Sequence, residues 1–356
     1  MRKENIVKNL LFALVLLLSF NVSVIAGESE GKVNTKPKVK EYIDHHLQDS
    51  YDFTFYSNGE TGEHFGFSLP VILIHDGIKV FSSSKFNHET TVAEVGDSYY
   101  KAYHGKIYLT DEAGTIVKDE NGRVTNEKPL DFSVTKNVFS MLLASIILLL
   151  LFTKLARSYK KGAIPTGFGR VLEPLVIYVR DDIAIPNIGA NKYRKFMGFL
   201  LTVFFFIWVL NLMGMTPLGV NVTGNIAVTA CLALFTYFIT QFSANKDYWK
   251  HIFWMPGVPV LMKIVLIPIE LLGTLTKPFA LMVRLFANIT AGHVVIMSLI
   301  AMIFIGKNIA VDAPISIFLT LFISVIELLV AFLQAYIFTM LSALFIGLAV
   351  EEHEHH

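Results

Sequence analysis

Residues 281–293 read Leu-Met-Val-Arg-Leu-Phe-Ala-Asn-Ile-Thr-Ala-Gly-His and place a permanent cation, Arg284, inside one of the most apolar parts of the chain. A guanidinium at the centre of a bilayer costs roughly 2.5–3.5 kcal/mol on insertion scales. It cannot shed its proton to escape that cost. A structural arginine would pair with a carboxylate or reach out from a helix end. The local pattern favours another role. Asn288 follows at i+4, on the same helical face. Ala291-Gly292 lets another helix approach closely just before His293. Polar groups at this depth line ion paths or water-filled cavities.

The rest of the chain fits a membrane setting. Of 356 residues, 53% are hydrophobic and 17% charged, against about 25% charged in ordinary soluble domains. A net charge of +1 offers no argument for nucleic acid as a partner. The single cysteine, Cys231, has no second thiol for a disulfide or a metal site, and its apolar surroundings suggest buried filler. Neither a cofactor nor a metal is expected.

Arg2, Lys3 and Lys8 precede an apolar run to Phe20, and Val24-Ile25-Ala26 resembles a small-residue cleavage site. Residues 1–26 therefore read as a signal peptide cleaved after Ala26, the alternative being an uncleaved first membrane helix. Residues 27–135 form a polar domain outside the cytoplasm. Lys40–Gln48 has near-helical apolar spacing at Tyr42, Ile43 and Leu47. The runs Asp52–Tyr56, Phe65–Ile74 and Lys79–Phe81 read as strands, with turn signals at Asn58-Gly59, Asp76-Gly77 and Asn121-Gly122. The histidines here (His45, His46, His64, His75, His88, His104) show no metal-ligand spacing and read as surface or satisfied side chains.

Val138–Phe152 is just long enough to span. The next loop carries Lys154, Arg157, Lys160, Lys161, Arg170, Arg180, Lys192, Arg194 and Lys195, with an amphipathic surface stretch at Val171–Val179. By the positive-inside rule this loop is cytoplasmic, in agreement with an exported N-terminus. Phe196–Met215 crosses outward and Ile226–Phe242 returns. Ile252–Leu272 is interrupted by Pro256, Pro259 and Pro268, and Gly273–Pro278 reads as a break. Phe279–Ile305 carries Arg284, Asn288 and His293, and a short outer loop with Lys307, Asp312 and Pro314 follows. In Ile315–Val350 the one charge is Glu327, and that run is too long for a perpendicular crossing. The expected fold is an all-α polytopic membrane protein. It has about five crossings, a long tilted helix hairpin at its C-terminal end, and a small, mostly β extracytoplasmic N-terminal domain. Residues 136–350 are the membrane domain, and 351–356 a cytoplasmic acidic tail.

Glu327 and Gln334 are seven residues apart and share a helical face, whereas Arg284 and His293, nine apart, point to roughly opposite sides. One helix thus offers a guanidinium on one side and an imidazole on the other. The last two helices should be antiparallel neighbours, with His293 and Glu327 at comparable depths. A histidine and a carboxylate in water contact can relay protons when burial shifts them toward neutrality. A purely structural His–Glu pair is the alternative.

The stretch Arg284-Leu285-Phe286-Ala287-Asn288-Ile289-Thr290-Ala291-Gly292-His293, preceded by Glu270 and Lys277-Pro278, resembles subunit a of F-type ATP synthases. So do Leu333-Gln334-Ala335-Tyr336-Ile337-Phe338, Asn211-Leu212-Met213-Gly214 with Pro217, and Thr223-Gly224-Asn225-Ile226-Ala227-Val228-Thr229. Tyr42-Ile43-Asp44-His45-His46-Leu47 looks like the N-terminal helix of that family. The resemblance implies a bacterial-type stator subunit, extended by its outer domain, in the cell inner membrane. It would form proton half-channels and exchange protons with carboxylates on a rotating c-subunit ring. Its other partners would be the b-subunit peripheral stalk and the rest of the complex, with no catalytic residue of its own. Arg284 would face the rotor carboxylate. Asn288, His293, Glu327 and Gln334 would adjoin the outer half-channel, and Glu270 would lie toward the cytoplasmic exit. Some relatives have glutamate in place of His293 and histidine in place of Glu327, so the pair is exchanged here. Some also have aspartate in place of Gly214.

Two other classes compete. A stand-alone secondary transporter explains intramembrane charge but predicts internal repeats, and the two halves show none. An intramembrane hydrolase needs a nucleophile–base or metal motif, and the sequence contains no Gly-x-Ser-x-Gly or His-Glu-x-x-His.

Overall fold

The computed structural model describes residues 48–57, 64–160, 162, 167, 169–216, 220–255, 259–305 and 309–351. The signal-like segment, most of Lys40–Gln48, Asn58-Gly59 and most of the acidic tail lie outside the described residues. The chain divides into two compact units. One comprises residues 1–142, 213–222 and 292–326, and the other 143–212, 223–291 and 327–356.

The first unit contains a β domain. Strands β1 (Asp52–Ser57) and β2 (His64–Ser68) pair antiparallel. A second sheet has the order β4-β3-β8, from β3 (Pro70–Ile74), β4 (Ile78–Ser82) and β8 (Leu130–Asp131). A third is β5 (Ala93–Val95), β6 (Ser98–Tyr103) and β7 (Lys106–Thr110). The Asp76-Gly77 signal forms the β3–β4 turn, with both residues at positive φ, where glycine carries no steric penalty. Phe65–Ile74 is two strands in two sheets rather than one run. Leu69 separates them, its N–H donating to Ser83 Oγ at 3.0 Å and its side chain buried. Alternation then places Val71 and Leu73 in a core with Tyr51, Phe86, Tyr100 and Ile107. Among the histidines, His88 lies 3.5 Å from Asp52, and His75 lies 3.5 Å from the Tyr100 hydroxyl.

The domain is tied to the first long helix, α1 (Lys136–Tyr159), without a flexible linker. Asp49 Oδ1 accepts from the Asn137 N–H at 3.1 Å, and the Ser50 carbonyl accepts from the Lys136 N–H at 2.8 Å. These acceptors satisfy donors that a helix N-terminus leaves unpaired. Rings of Phe53 and Phe67 pack edge-on against Phe139 in the first turn.

Helix α2 (Gly169–Tyr178) runs into a π-helical turn, Val179–Ala184, and a short helical turn, Ile185–Ile188. There follow α3 (Tyr193–Gly214), α4 (Ile226–Ser243), α5 (Lys246–Phe253), α6 (Val260–Ile305) and α7 (Ile309–Val350). Among the described residues five helices are long and apolar enough to cross a membrane: α1, α3, α4, α6 and α7. Many carry large apolar side chains outward, such as Leu149, Phe235, Leu329 and Leu333, as lipid or an apolar partner would require. Cys231 also sits on an exposed face of α4, so it is not core filler.

Two breaks read from the sequence are helical instead. Gly273–Pro278 lies inside α6, a continuous helix of 46 residues. A proline removes one ladder hydrogen bond, but membrane helices tolerate that where neighbouring groups satisfy the freed backbone. Hydroxyls of Thr274 and Thr276 donate to the carbonyls of Leu271 and Gly273 at 2.8 and 2.9 Å in this segment, although the carbonyl that Pro278 frees is that of Thr274. Asp312 and Pro314 likewise belong to α7, the proline being its sixth residue.

The helical core of the second unit sits around Val179, Ile183, Leu200, Phe204, Leu281, Leu285, Phe338 and Ile346. Small residues line the contacts. Thr229, Ala233, Thr236 and Thr240 make one buried stripe on α4, and Ala331, Ala335, Ser342 and Ala343 another on α7. At the end of α7 the Val350 carbonyl accepts from Lys192 Nζ at 2.7 Å and from Asn245 Nδ2 at 2.8 Å. A cation there also complements the negative end of the helix dipole.

Candidate functional site

The 3.6-residue period decides which part of residues 281–293 faces inward. Leu281, Leu285 and Ile289 are buried, at 1%, 0% and 4% exposure. Arg284, Ala287, Asn288 and Ala291 therefore lie on the exposed face of α6. Arg284 makes no ion pair or hydrogen bond among the described residues. The spacing argument anticipated this polar face.

On α7 the buried face holds Glu327 at 6% and Gln334 at 1% exposure, with Ala331 and Phe338 between and beyond them. Asn288 Nδ2 donates to Gln334 Oε1 at 2.7 Å, joining two of the residues singled out from sequence. The other end of that amide, Gln334 Nε2, is buried without a hydrogen-bond partner among the described residues. A buried unpaired donor costs about 1–3 kcal/mol. On the exposed side of α6, beside Asn288, Arg284 adds donors and no acceptor.

His293 belongs to the first unit, with the β domain and residues 213–222. It is half-buried. Its Nε2 lies 3.4 Å from the position a Cβ on Gly214 would take. Glu270 is half-buried on α6, its Oε2 3.6 Å from where a Gly273 Cβ would stand. Close to it, α4, α5, α6 and α7 enclose a cleft of about 250 Å³, counting the part open to solvent. Thr236, Thr240, Gln241, Tyr248, Thr274 and Lys277 supply its polar lining. Burial raises the Tyr248 phenol above its ordinary range, and the charge of Glu270 adds to the effect.

The matching family model is described as "ATP synthase A chain" and covers residues 138–347, more than half of the sequence. The chain belongs to the ATP synthase A chain family. All six candidate residues fall within that match. An "ATP synthase subunit a" of Chloroherpeton thalassium is 49% identical over 233 residues, 63% of this chain and 69% of the relative. One from Pelodictyon phaeoclathratiforme is 48% identical over 237 residues, covering 64% of this chain and 69% of the relative. One from Myxococcus xanthus is 44% identical over 233 residues, 64% of this chain and 76% of the relative. Residues 42–132 match a second model, described as a domain of unknown function, which covers the β region preceding the ATP synthase A chain segment.

Sequence reasoning missed the threonine and glutamine lining of the cleft in this ATP synthase A chain member. A signal was there. Thr229, Thr236 and Thr240 recur at intervals of seven and four on an otherwise apolar helix, which marks one polar stripe.

Proposed function

We propose that the chain is the stator of the ATP synthase membrane sector, carrying protons through two half-channels to and from carboxylates on a c-subunit ring. The observation that carries this reading is Arg284, a cation on an apolar helix, exposed and unpaired among the described residues. A charge left open at membrane depth calls for an anionic partner from outside the chain.

In this reading a proton enters from the outer side by way of His293 and Glu327 and protonates a rotor carboxylate. The neutral rotor site then turns through lipid. Near the end of its circuit it meets Arg284, whose charge favours the ionised carboxylate and lowers its pKa by about 1–3 units. The proton leaves toward the cytoplasm through the cleft beside Glu270. Asn288 and Gln334 hold the polar face next to Arg284 in register. The guanidinium presents donors and no acceptor, so it does not relay protons and keeps the two paths apart. The driving force is about 2.3 kcal/mol per charge per 100 mV.

The positive loop between α1 and α3 supports a cytoplasmic assignment for that side. The β domain then lies outside, following a cleaved signal peptide at 1–26, and the C-terminus inside, in the cell inner membrane. A b-subunit peripheral stalk would hold the chain against rotation. The chain itself transports protons and carries no catalytic residue.

Arg284→Ala should abolish proton-driven ATP synthesis in reconstituted vesicles while the complex still assembles. Coupled synthesis at the wild-type rate in the assembled variant would sink the proposal. A secondary transporter would instead act without a ring. Co-purification of a small, very hydrophobic subunit bearing one membrane carboxylate separates the two.

A further inference from the structure

Strand β2 reads His64-Phe65-Gly66-Phe67-Ser68, and alternation puts Phe65 and Phe67 on one side of it. In water an antiparallel sheet turns its aromatic side toward a core. Here Phe65 is 74% and Phe67 40% exposed. These rings have a fixed place beside α1. The Ser50 carbonyl accepts from the Lys136 N–H at 2.8 Å, and Phe53, three residues on, has its ring centroid 5.3 Å from that of Phe139. Phe67 stacks on Phe53 at 5.1 Å and also lies 5.3 Å from Phe139. Phe139 is about 4.5 Å further along the helix axis than Lys136. Lys136 and Lys154 bound about 27 Å of helix, against a hydrocarbon core about 30 Å thick. The core therefore reaches the first turn of α1, and Phe139 stands at its edge. Phe139 shares a helical face with Leu142 and Ile146, which are 54% and 55% exposed. The β1–β2 hairpin thus caps the outward apolar face of α1, and its exposed rings continue that face.

We propose that the β1–β2 hairpin is a membrane-interface anchor: Phe65 and Phe67 rest on lipid, against the upper ends of the acyl chains in the leaflet around the start of α1. Two arguments select lipid as the occupant. The rings lie at the depth where hydrocarbon begins, on a surface continuous with the outward face of a membrane helix. Apolar rings with a polar opposite side are what an interfacial element presents at that depth, and Gly66 and Ser68 fall on the opposite side of β2. A second copy of the chain is the poorer occupant, since two rings supply far less than the about 800 Å² per partner that a stable protein interface buries. The anchor holds the β domain at a fixed height on the leaflet. It does not depend on the proton path proposed above.

The test keeps the whole complex carrying this chain intact. It is reconstituted in vesicles whose phosphatidylcholine bears a photoactivatable diazirine near the top of one acyl chain. After irradiation, lipid adducts on this chain are mapped by mass spectrometry. Adducts on Phe65–Phe67 should reach the mean yield on the membrane helices within about threefold. Phe65→Ser should lower the yield at Phe67 by about threefold and Phe65→Trp should keep it, because an aromatic ring holds this depth and a hydroxyl does not. A lower yield on β2 while the helices are labelled would overturn the inference, whether water or another subunit covers the hairpin. So would labelling spread evenly over β1 to β8, and so would an unchanged Phe67 yield in Phe65→Ser. If Phe65→Ser does not assemble, the map of the unsubstituted complex decides.

Discussion

Removing the Asn288 side chain should destabilise the protein more than removing its partner, although Asn288 is the exposed member of the pair. The reason lies in what each deletion leaves behind. Gln334 is 1% exposed and accepts from Asn288 at 2.7 Å, while its Nε2 is already unpaired among the described residues. Asn288→Ala leaves the whole buried amide without a partner, a cost of about 1–3 kcal/mol. Gln334→Leu removes that polar group and fills similar volume, while Asn288 stays on the exposed polar face beside Arg284, which the proposed half-channel hydrates, so the cost is about 0.5–1.5 kcal/mol. The double variant Asn288→Ala/Gln334→Leu should therefore be more stable than Asn288→Ala alone. The assay is thermal unfolding of the purified complex, following release of this subunit, with ATP synthesis measured in parallel. Stability should recover in the double variant and coupling should not, because the polar face beside Arg284 is gone. A double variant no more stable than Asn288→Ala would refute the reasoning.

Gly347→Ala should be among the most disruptive single-methyl additions, because the new Cβ would run into the Asn187 carbonyl next to the end of α7; subunit content in membranes reads this, and normal content would count against the packing described. Lys192→Met and Asn245→Ala each remove one donor to the Val350 carbonyl and should cost roughly 0.5–3 kcal/mol, seen as faster amide exchange in the last turn of α7. Burial holds the Asp49 carboxyl above its ordinary range despite its hydrogen bonds to Ser50 and Asn137. A raised folded-state pKa gives stability that is present below the unfolded value and is lost as pH rises through the folded one. Asp49→Asn keeps an acceptor and should remove that loss, so exchange protection at the start of α1 should fall less as pH rises from the ordinary carboxylate range upward; an unchanged pH profile would contradict it. Exchanging His293 and Glu327 should impair ATP synthesis less than alanine at either position, and an exchange variant worse than both would argue against a paired relay.

Much of the site was legible because helical periodicity converts spacing into faces. Arg284 and Asn288 share the exposed face, and Glu327 and Gln334 the buried one, as intervals of four and seven require. The length and apolarity of the membrane helices were equally plain. The misreadings have physical causes. Gly273–Pro278 and Pro314 look like breaks under rules drawn from water, where freed backbone groups need no neighbour. The strand run from Phe65 to Ile74 conceals a change of sheet at Leu69, which is decided by a hydrogen bond to Ser83, fourteen residues away.

By itself the sequence determined a membrane chain with five long apolar helices, a β region before them, and a cation too costly to be incidental. Those features depend on local chemistry: transfer free energy, period and permanent charge. Only the tertiary structure decided that Asn288 meets Gln334, that Arg284 is left open, that Asp49 closes the start of α1, and that Gly214 adjoins His293. Those pairings join residues 46, 79 and 88 positions apart. Contacts of that range follow from how helices and sheets pack, which no local period encodes.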